Sequence, residues 1–180
     1  MILFAAIRPP GGVIRAATAL QKGVPGARWS FPEKLHITVG YFGEVPDDVA
    51  EELDEALARR TGPSLELMLE GVGHFGRAEP HQLHLKVRDD AGLSRLHRHC
   101  KRAAREVGIE MERRDFRPHL TLAYLKPFPD VVKIAEWEQK NAGVLIGPFL
   151  VDQLGLYSSH KSKRGPNRYD LEATYPLLGA

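Results

Sequence analysis

Lys34-Leu35-His36-Ile37-Thr38-Val39-Gly40-Tyr41 recurs 83 residues later as Arg117-Pro118-His119-Leu120-Thr121-Leu122-Ala123-Tyr124. Both copies read basic, any residue, His, aliphatic, Thr, aliphatic, small, Tyr. Such alternation describes a strand. His and Thr, two residues apart, point to one side of it, and the aliphatic residues between them point the other way, into a core. The offset is close to half of the 180 residues. We therefore expect two copies of one unit packed about a pseudo-two-fold axis. Equivalent strands would then face each other, and two His and two Thr would line one cleft.

The flanking sequence fits that plan. Ile2 to Ile7 is a short apolar run and reads as a buried strand. Val13, Ile14, Ala17 and Leu20 recur at helical spacing. A strand is expected over Leu35 to Phe42, ended by Gly43. Pro46-Asp47-Asp48 opens a helix with Val49, Leu53, Ala56 and Leu57 on one face. Its early acids Asp47, Asp48, Glu51 and Glu52 suit the positive end of the helix dipole. Leu65, Leu67 and Leu69 alternate, as do Leu83, Leu85 and Val87, each predicting a strand with one buried face. Leu93, Leu96, Cys100, Ala103 and Val107 form a helical stripe, and His119 to Leu125 forms a strand. Val131, Val132, Ile134 and Ala135 suggest another helix. Phe149 to Tyr157 and Tyr169 to Tyr175 read as a closing pair of strands around a polar loop. With no linker or low-complexity tract, residues 1–180 read as a single bilobal domain. The expected class is α+β: two similar lobes, antiparallel sheets flanked by helices, around a central cleft.

Composition narrows the function. Hydrophobic residues at 43% and charged residues at 27% exclude a disordered chain. No apolar run reaches the ~20 residues of a membrane span, and the start lacks the basic segment of a signal peptide. One cysteine, Cys100, cannot form an internal disulfide and falls on an apolar stripe, so it reads as core. A cytoplasmic protein is expected, with a monomer as the default and no membrane partner. The net charge of +2 is uneven. Residues 1–90 carry ten Lys/Arg against thirteen Asp/Glu, and residues 91–180 carry fifteen against ten. A basic second half suggests an anionic partner.

Paired His and Thr suit phosphodiester chemistry. Imidazole titrates near neutrality, so one His can accept a proton while the other donates one. Thr hydroxyls can hold phosphate oxygens. No metal is expected. In His81-Gln82-Leu83-His84 the two His lie at i and i+3, on opposite faces of a strand. His97 and His99 diverge on a helix. His74, in a glycine-rich turn, reads as a local hydrogen-bonding residue. Arg95, Arg98, Arg102 and Arg105 read as a solvated helix face. The segment His160 to Arg168 holds four basic residues and no acid, so Lys161, Lys163 and Arg164, with Arg117, are candidate contacts to an anionic partner, which the resemblance described below would make RNA. Tyr41 and Tyr124 are candidates for stacking on a base.

The motif pair resembles the two-histidine phosphoesterase superfamily, and within it the RNA 2′,3′-cyclic phosphodiesterase (2′-5′ RNA ligase, LigT-like) family. Trp29 and Leu35 to Glu44 fit the first motif region, Gly71 to Gly76 a glycine-rich connection, and Phe116 to Ala123 the second motif. Leu156-Tyr157-Ser158-Ser159, Gly165, Tyr169 and Tyr175-Pro176-Leu177 fit the C-terminal strands, so the resemblance spans nearly the whole chain. It implies hydrolysis of a 2′,3′-cyclic phosphate on RNA or a nucleotide to a 2′-phosphomonoester, without a cofactor. It implies His119 as proton acceptor, His36 as proton donor, and Thr38 and Thr121 as phosphate ligands. The near-symmetry of the two copies does not by itself separate acid from base. Three alternatives stay open: 2′-5′ RNA ligation at the same site, cleavage of another cyclic or 2′-5′ nucleotide, and non-catalytic RNA or nucleotide binding. Tyr124 departs from the family, which commonly has Arg there.

Overall fold

The N-terminal apolar run forms strand β1 (Ile2–Ile7), whose residues Leu3 to Ile7 are all buried because the strand lies inside a sheet covered on both faces. The computed structural model describes residues 1–59 and 61–178. After β1 come α1 (Gly11–Thr18), β2 (Arg28–Trp29), a 3₁₀ turn at Pro32–Lys34, β3 (Ile37–Glu44) and α2 (Asp47–Ala58). The second half contains β4 (Leu65–Phe75), β5 (Gln82–Val87), α3 (Ala91–Glu106), β6 (His119–Tyr124), α4 (Val131–Lys140), β7 (Leu145–Val151), β8 (Gln153–His160) and β9 (Arg168–Pro176). No helix among the described residues is long and apolar enough to cross a membrane.

The strands form an antiparallel sheet in the order β7-β4-β5-β6-β3-β1-β8-β9, with β2 added beside β6. The protein is α+β, as the pattern predicts. Its two similar halves, β7-β4-β5-β6 and β3-β1-β8-β9, meet where β3 and β6 share a single registered pair, Ile37 opposite Leu120. The repeat extends into the register of the neighbouring strands. Phe4, Ala6 and Ile7 of β1 lie opposite Tyr41, Thr38 and Ile37, while Gln82, His84 and Leu85 of β5 lie opposite Tyr124, Thr121 and Leu120. The same irregularity interrupts both pairings, between Ala5 and Ala6 and between Leu83 and His84.

The expected strand from Phe149 to Tyr157 is two strands. β7 pairs with β4 in one half and β8 with β1 in the other. The chain crosses over at Asp152, where the apolar alternation slips phase from Phe149 and Val151 to Leu154 and Leu156. Gly43 does not end β3. At φ 73° it lies within the strand, beside an irregularity in the β1 pairing. β5 also departs from the expectation of one buried face. Gln82, Leu83, His84 and Leu85 are all buried, because this central strand is also covered on its polar side.

The helices tie the halves together. α1 follows β1 yet packs on β7, and α3 follows β5 yet packs on β3. Asp90 caps α3 by accepting from Leu93 N at 2.8 Å, and Asp130 caps α4 through Lys133 N at 3.1 Å. Trp137 Nε1 donates to Leu20 O at 2.9 Å, and Tyr175 Oη donates to Asp54 at 2.6 Å.

The small residue in the first motif has a packing reason. A Cβ on Gly40 would lie 2.8 Å from Cys100 Cβ, so β3 lies against α3 with no room for a methyl group. Gly40→Ala is expected to lower stability by about 1–3 kcal/mol through overpacking, read as a lower Tm. An unchanged Tm would show that α3 can move off the strand freely.

Candidate active site

The segment leading to His36 is pinned from the residue that follows β1. Arg8 donates Nη1 to Pro32 O at 3.0 Å and to Leu35 O at 3.1 Å, which holds the 3₁₀ turn in place. His36 Nδ1 then donates to Lys34 O at 2.6 Å. His119 opens β6, and its Nδ1 donates to Arg117 O at 2.7 Å. A carbonyl only accepts, so in both rings Nδ1 carries the hydrogen. Among the described residues neither Nε2 has a protein partner. The same bond therefore sets the same tautomer in both copies and leaves Nε2 for chemistry.

The β3–β6 joint decides which groups meet. Around the Ile37–Leu120 pair, antiparallel geometry sets His36 opposite Thr121 and Thr38 opposite His119. These four residues lie on the face opposite buried Ile37 and Leu120. Each histidine is thus placed beside the threonine of the other copy.

The surroundings of the two rings differ. His36 sits 5.1 Å from the Phe4 ring and 5.4 Å, edge-on, from Tyr169, whose face carries Lys34 Nζ at 4.6 Å. His119 sits 4.8 Å, edge-on, from Phe75 and 5.1 Å from His84. Burial pulls His36 below the usual imidazole value. The Lys34 carbonyl opposes this shift, and the charges of His119, Arg8 and Lys34 add to it. Burial also lowers His119, against its bond to Arg117 O. His84 is lowered to about 3, first by burial and then by the charges of His119, Lys86 and His74. It is neutral at physiological pH.

Thr121 belongs to a polar chain. Gln82 Nε2 donates to Thr121 Oγ1 at 2.8 Å, and His84 Nδ1 lies 2.6 Å from Gln82 Oε1. No side-chain bond holds Thr38 among the described residues. A cleft of about 500 Å³ opens along this face. Its lining includes His36, Thr121, Tyr124, Arg28, Trp29, Phe31, Lys34 and Tyr169, with Gly165, Pro166 and Asn167 from the β8–β9 loop. Arg28 lies over the Tyr124 ring at 5.6 Å, and Phe31, though apolar, is 54% exposed.

The candidates from sequence are distributed unevenly about this cleft. His36, Thr121 and Tyr124 line it, with Thr38 and His119 next to them across the β3–β6 joint. Tyr41, its repeat equivalent Tyr124 notwithstanding, is exposed outside the lining, and so is Arg117. The polar loop borders the cleft through Gly165 to Asn167, while Lys161, Lys163 and Arg164 stand outside on its exposed surface. His74 is not in a turn and its bonding is not only local. It lies in β4, pairs through Nδ1 with Glu138 of α4, and bonds Arg77 O at 3.0 Å. Arg28, Phe31 and Gln82 are not among the sequence candidates, and His84 is weighed there only with His81 as a metal pair. Polar residues at Gln82 and His84, two apart in an apolar strand, were the available signal.

The sequence pattern of the 2′-5′ RNA ligase superfamily matches residues 9–163. The chain belongs to that superfamily. Among curated members, a Thermotoga maritima protein named RNA 2′,3′-cyclic phosphodiesterase is 30% identical over 146 residues, covering 78% of this chain and 75% of the relative. A Geobacillus stearothermophilus protein of the same name is 30% identical over 160 residues, covering 87% of this chain. The match spans only 50% of that relative's length. The fold is shared with a Thermus thermophilus protein (TM-score 0.81, 22% identity, 99% of each chain). It is also shared with E. coli LigT crystallised with 3′-AMP (TM-score 0.77, 24% identity, 98% of this chain and 97% of the other).

The lowered histidines make this superfamily member sensitive to acid. A His whose folded value lies below its unfolded one binds its proton more readily when unfolded, so stability falls as pH drops. For His84 the loss begins near 6.5 and continues toward about 3. The Tm of His84→Gln should fall less steeply than that of the wild type between about pH 7 and pH 4. Parallel curves would show that His84 is not kept neutral by the fold.

Proposed function

We propose that this chain is a phosphodiesterase that opens 2′,3′-cyclic phosphate ends of RNA or nucleotides to 2′-phosphomonoesters, using His36 and His119 as an acid–base pair. The observation that carries this reading is the duplicated tautomer. Two imidazoles from two strands each commit Nδ1 to a carbonyl two residues back, which leaves two Nε2 atoms beside two Thr hydroxyls. One neutral Nε2 takes the proton of an attacking water, and one protonated Nε2 supplies the proton that the departing 3′ oxygen needs. We assign the first role to His119 and the second to His36, as the family resemblance implies. Water adds to phosphorus, the bond to the 3′ oxygen breaks, and the products are a 2′-phosphate and a 3′-hydroxyl.

Thr38 and Thr121 would donate to the phosphate oxygens as their charge grows. Positive charge is supplied by the protonated histidine, with Arg28 and Lys34 along the cleft, so the scheme needs no metal. Among the described residues, no three His, Cys, Asp or Glu side chains are grouped to hold one. Exposed Phe31 and Tyr124 offer faces for a base. The basic residues Lys161, Lys163 and Arg164 stand just outside the cleft border, where the upstream backbone of an RNA would pass. The names of the curated relatives, RNA 2′,3′-cyclic phosphodiesterase, support the reading of the substrate class.

His36→Ala and His119→Ala should each lower turnover of a 2′,3′-cyclic nucleotide by roughly 10²–10⁴-fold with the fold intact. With an aryl phosphodiester, whose phenolate leaves without a proton, His36→Ala should recover most of its loss while His119→Ala should not. Recovery by His119→Ala instead would exchange the roles, and full activity in either variant would end the acid–base reading.

Both imidazoles are held low in the free protein, so the bell-shaped profile of kcat/KM should peak below about pH 6.5. Its limbs belong to the pair rather than to either residue. The acid-side limb is protonation of the base, and the alkaline limb is loss of the acid's proton. An alkaline limb above about pH 8 would contradict these environments.

A further inference from the structure

The two halves of the site share a backbone plan but differ one strand away. At the two β1 positions that face Tyr41 and Thr38 the chain has Phe4 and Ala6. At the equivalent β5 positions, facing Tyr124 and Thr121, it has Gln82 and His84. Both are polar and almost fully buried, at 4% and 5% exposure. Burying an amide and an imidazole is costly unless their hydrogen bonds are met, and here each meets the other. Gly73, opposite His84 on β4, leaves space for the ring, since a Cβ there would lie 3.1 Å from His84 Nε2.

The direction of the chain follows from donor and acceptor rules. His84 Nδ1 faces Gln82 Oε1 at 2.6 Å, and among the described residues Nε2 has no protein partner, so we assign the single hydrogen of the neutral ring to Nδ1. Nδ1–H then donates to Oε1, which turns the Gln82 NH₂ toward Thr121. Thr121 Oγ1 accepts that bond at 2.8 Å. With a lone pair occupied, its own hydrogen is free to point elsewhere, and the cleft lies on that side. Thr38 has Ala6 opposite it and no comparable partner.

We propose that Gln82 and His84 are positioning residues that commit the Thr121 hydroxyl to donating into the cleft, so that Thr121, beside His36, is the dominant hydroxyl ligand of the reacting phosphate and Thr38 the lesser one. The proposal rests on the phosphodiesterase reading above. Neither Gln82 nor His84 touches the substrate in this scheme. They remove the orientation in which Thr121 would spend its hydrogen on the protein interior, and so keep that hydrogen for the phosphate.

The test is a double-mutant cycle between Gln82→Met and Thr121→Val, read with a 2′,3′-cyclic nucleotide and, separately, as affinity for inorganic phosphate. Gln82→Met keeps the size of the side chain and removes the donor. It should lower kcat/KM and phosphate affinity each by about 10-fold, the range of one hydrogen bond to a charged group. In the Thr121→Val background the same change should cost less than about 2-fold, because the hydroxyl it acts through is gone. Thr121→Val should lose more than Thr38→Val. Gln82→Glu, near-isosteric, covers the case in which Gln82→Met folds poorly. Its ionised carboxylate would accept from Thr121 and reverse the hydroxyl, so activity should fall at least 10-fold and fall further as pH rises.

Equal losses from Gln82→Met with and without the Thr121 hydroxyl would mean that Gln82 acts through packing, and would overturn the proposal. So would wild-type activity in Gln82→Glu, or equal losses from the two threonine variants. Phosphate affinity keeps this proposal separate from the reading it rests on. Coupling in phosphate binding by a protein that hydrolyses no cyclic phosphate would sustain the Gln82–Thr121 link and remove the assigned reaction. Additivity in both measurements would overturn the link itself.

Discussion

A single backbone pairing, Ile37 with Leu120, organises the site. Both side chains are fully buried, which turns the residues on either side of them to the opposite face. Because the strands run antiparallel, the His of each copy comes to lie beside the Thr of the other. A two-residue slip of β6 against β3 would keep every side chain on its face and still separate His36 from Thr121. The joint is therefore short but strict, and it is held from outside. α1 and α3 each reach across to the other half, and Arg8 clamps the turn before His36.

Electrostatics at the joint keep both imidazoles toward their neutral forms in the free protein. Burial holds both imidazoles below their usual range, and positive neighbours push His36 lower still. A bound phosphate diester brings one negative charge among these groups and favours the protonated form of whichever ring it approaches. In the proposed reaction the substrate thus helps to charge its own acid. The carbonyl bonds at Nδ1 make this productive, because any added proton must enter at Nε2, the atom without a protein partner among the described residues.

Duplication supplied the frame, and divergence one strand away separated the halves. On the His36 side the ring is packed by Phe4 and Tyr169, both aromatic. On the His119 side the ring meets Phe75 and a neutral imidazole that belongs to a hydrogen-bonded chain. Among the described residues β9 reaches the cleft as an outer strand, through Tyr169, while β7 pairs with β4 no further than Glu70 opposite Leu145 and does not line it. Two like motifs thus sit in unlike surroundings, as the proposed acid and base roles require.

Much of this was legible in the linear sequence, because it depends on periods of 2 and 3.6 and on a self-match. The His-x-Thr repeat, the strand at β1, the helical stripes of α2 and α3 and the α+β class all follow from side-chain alternation and spacing, which are local properties. The crossing at Asp152 left a phase slip between Val151 and Leu154, but an apolar run alone does not say which strand it will pair with. The burial of both faces of β5 depended on what covers a central strand. The cleft positions of Arg28 and Phe31 depended on the docking of β2 beside β6. The Gln82–His84–Thr121 chain exists only because β5 and β6 pair in one register, with an irregularity that sets His84 opposite Thr121. Sequence alone determined which chemical groups were present and which shared a strand face. The tertiary structure decided which of them meet, because hydrogen bonds between strands join residues tens of positions apart and no local period encodes that pairing.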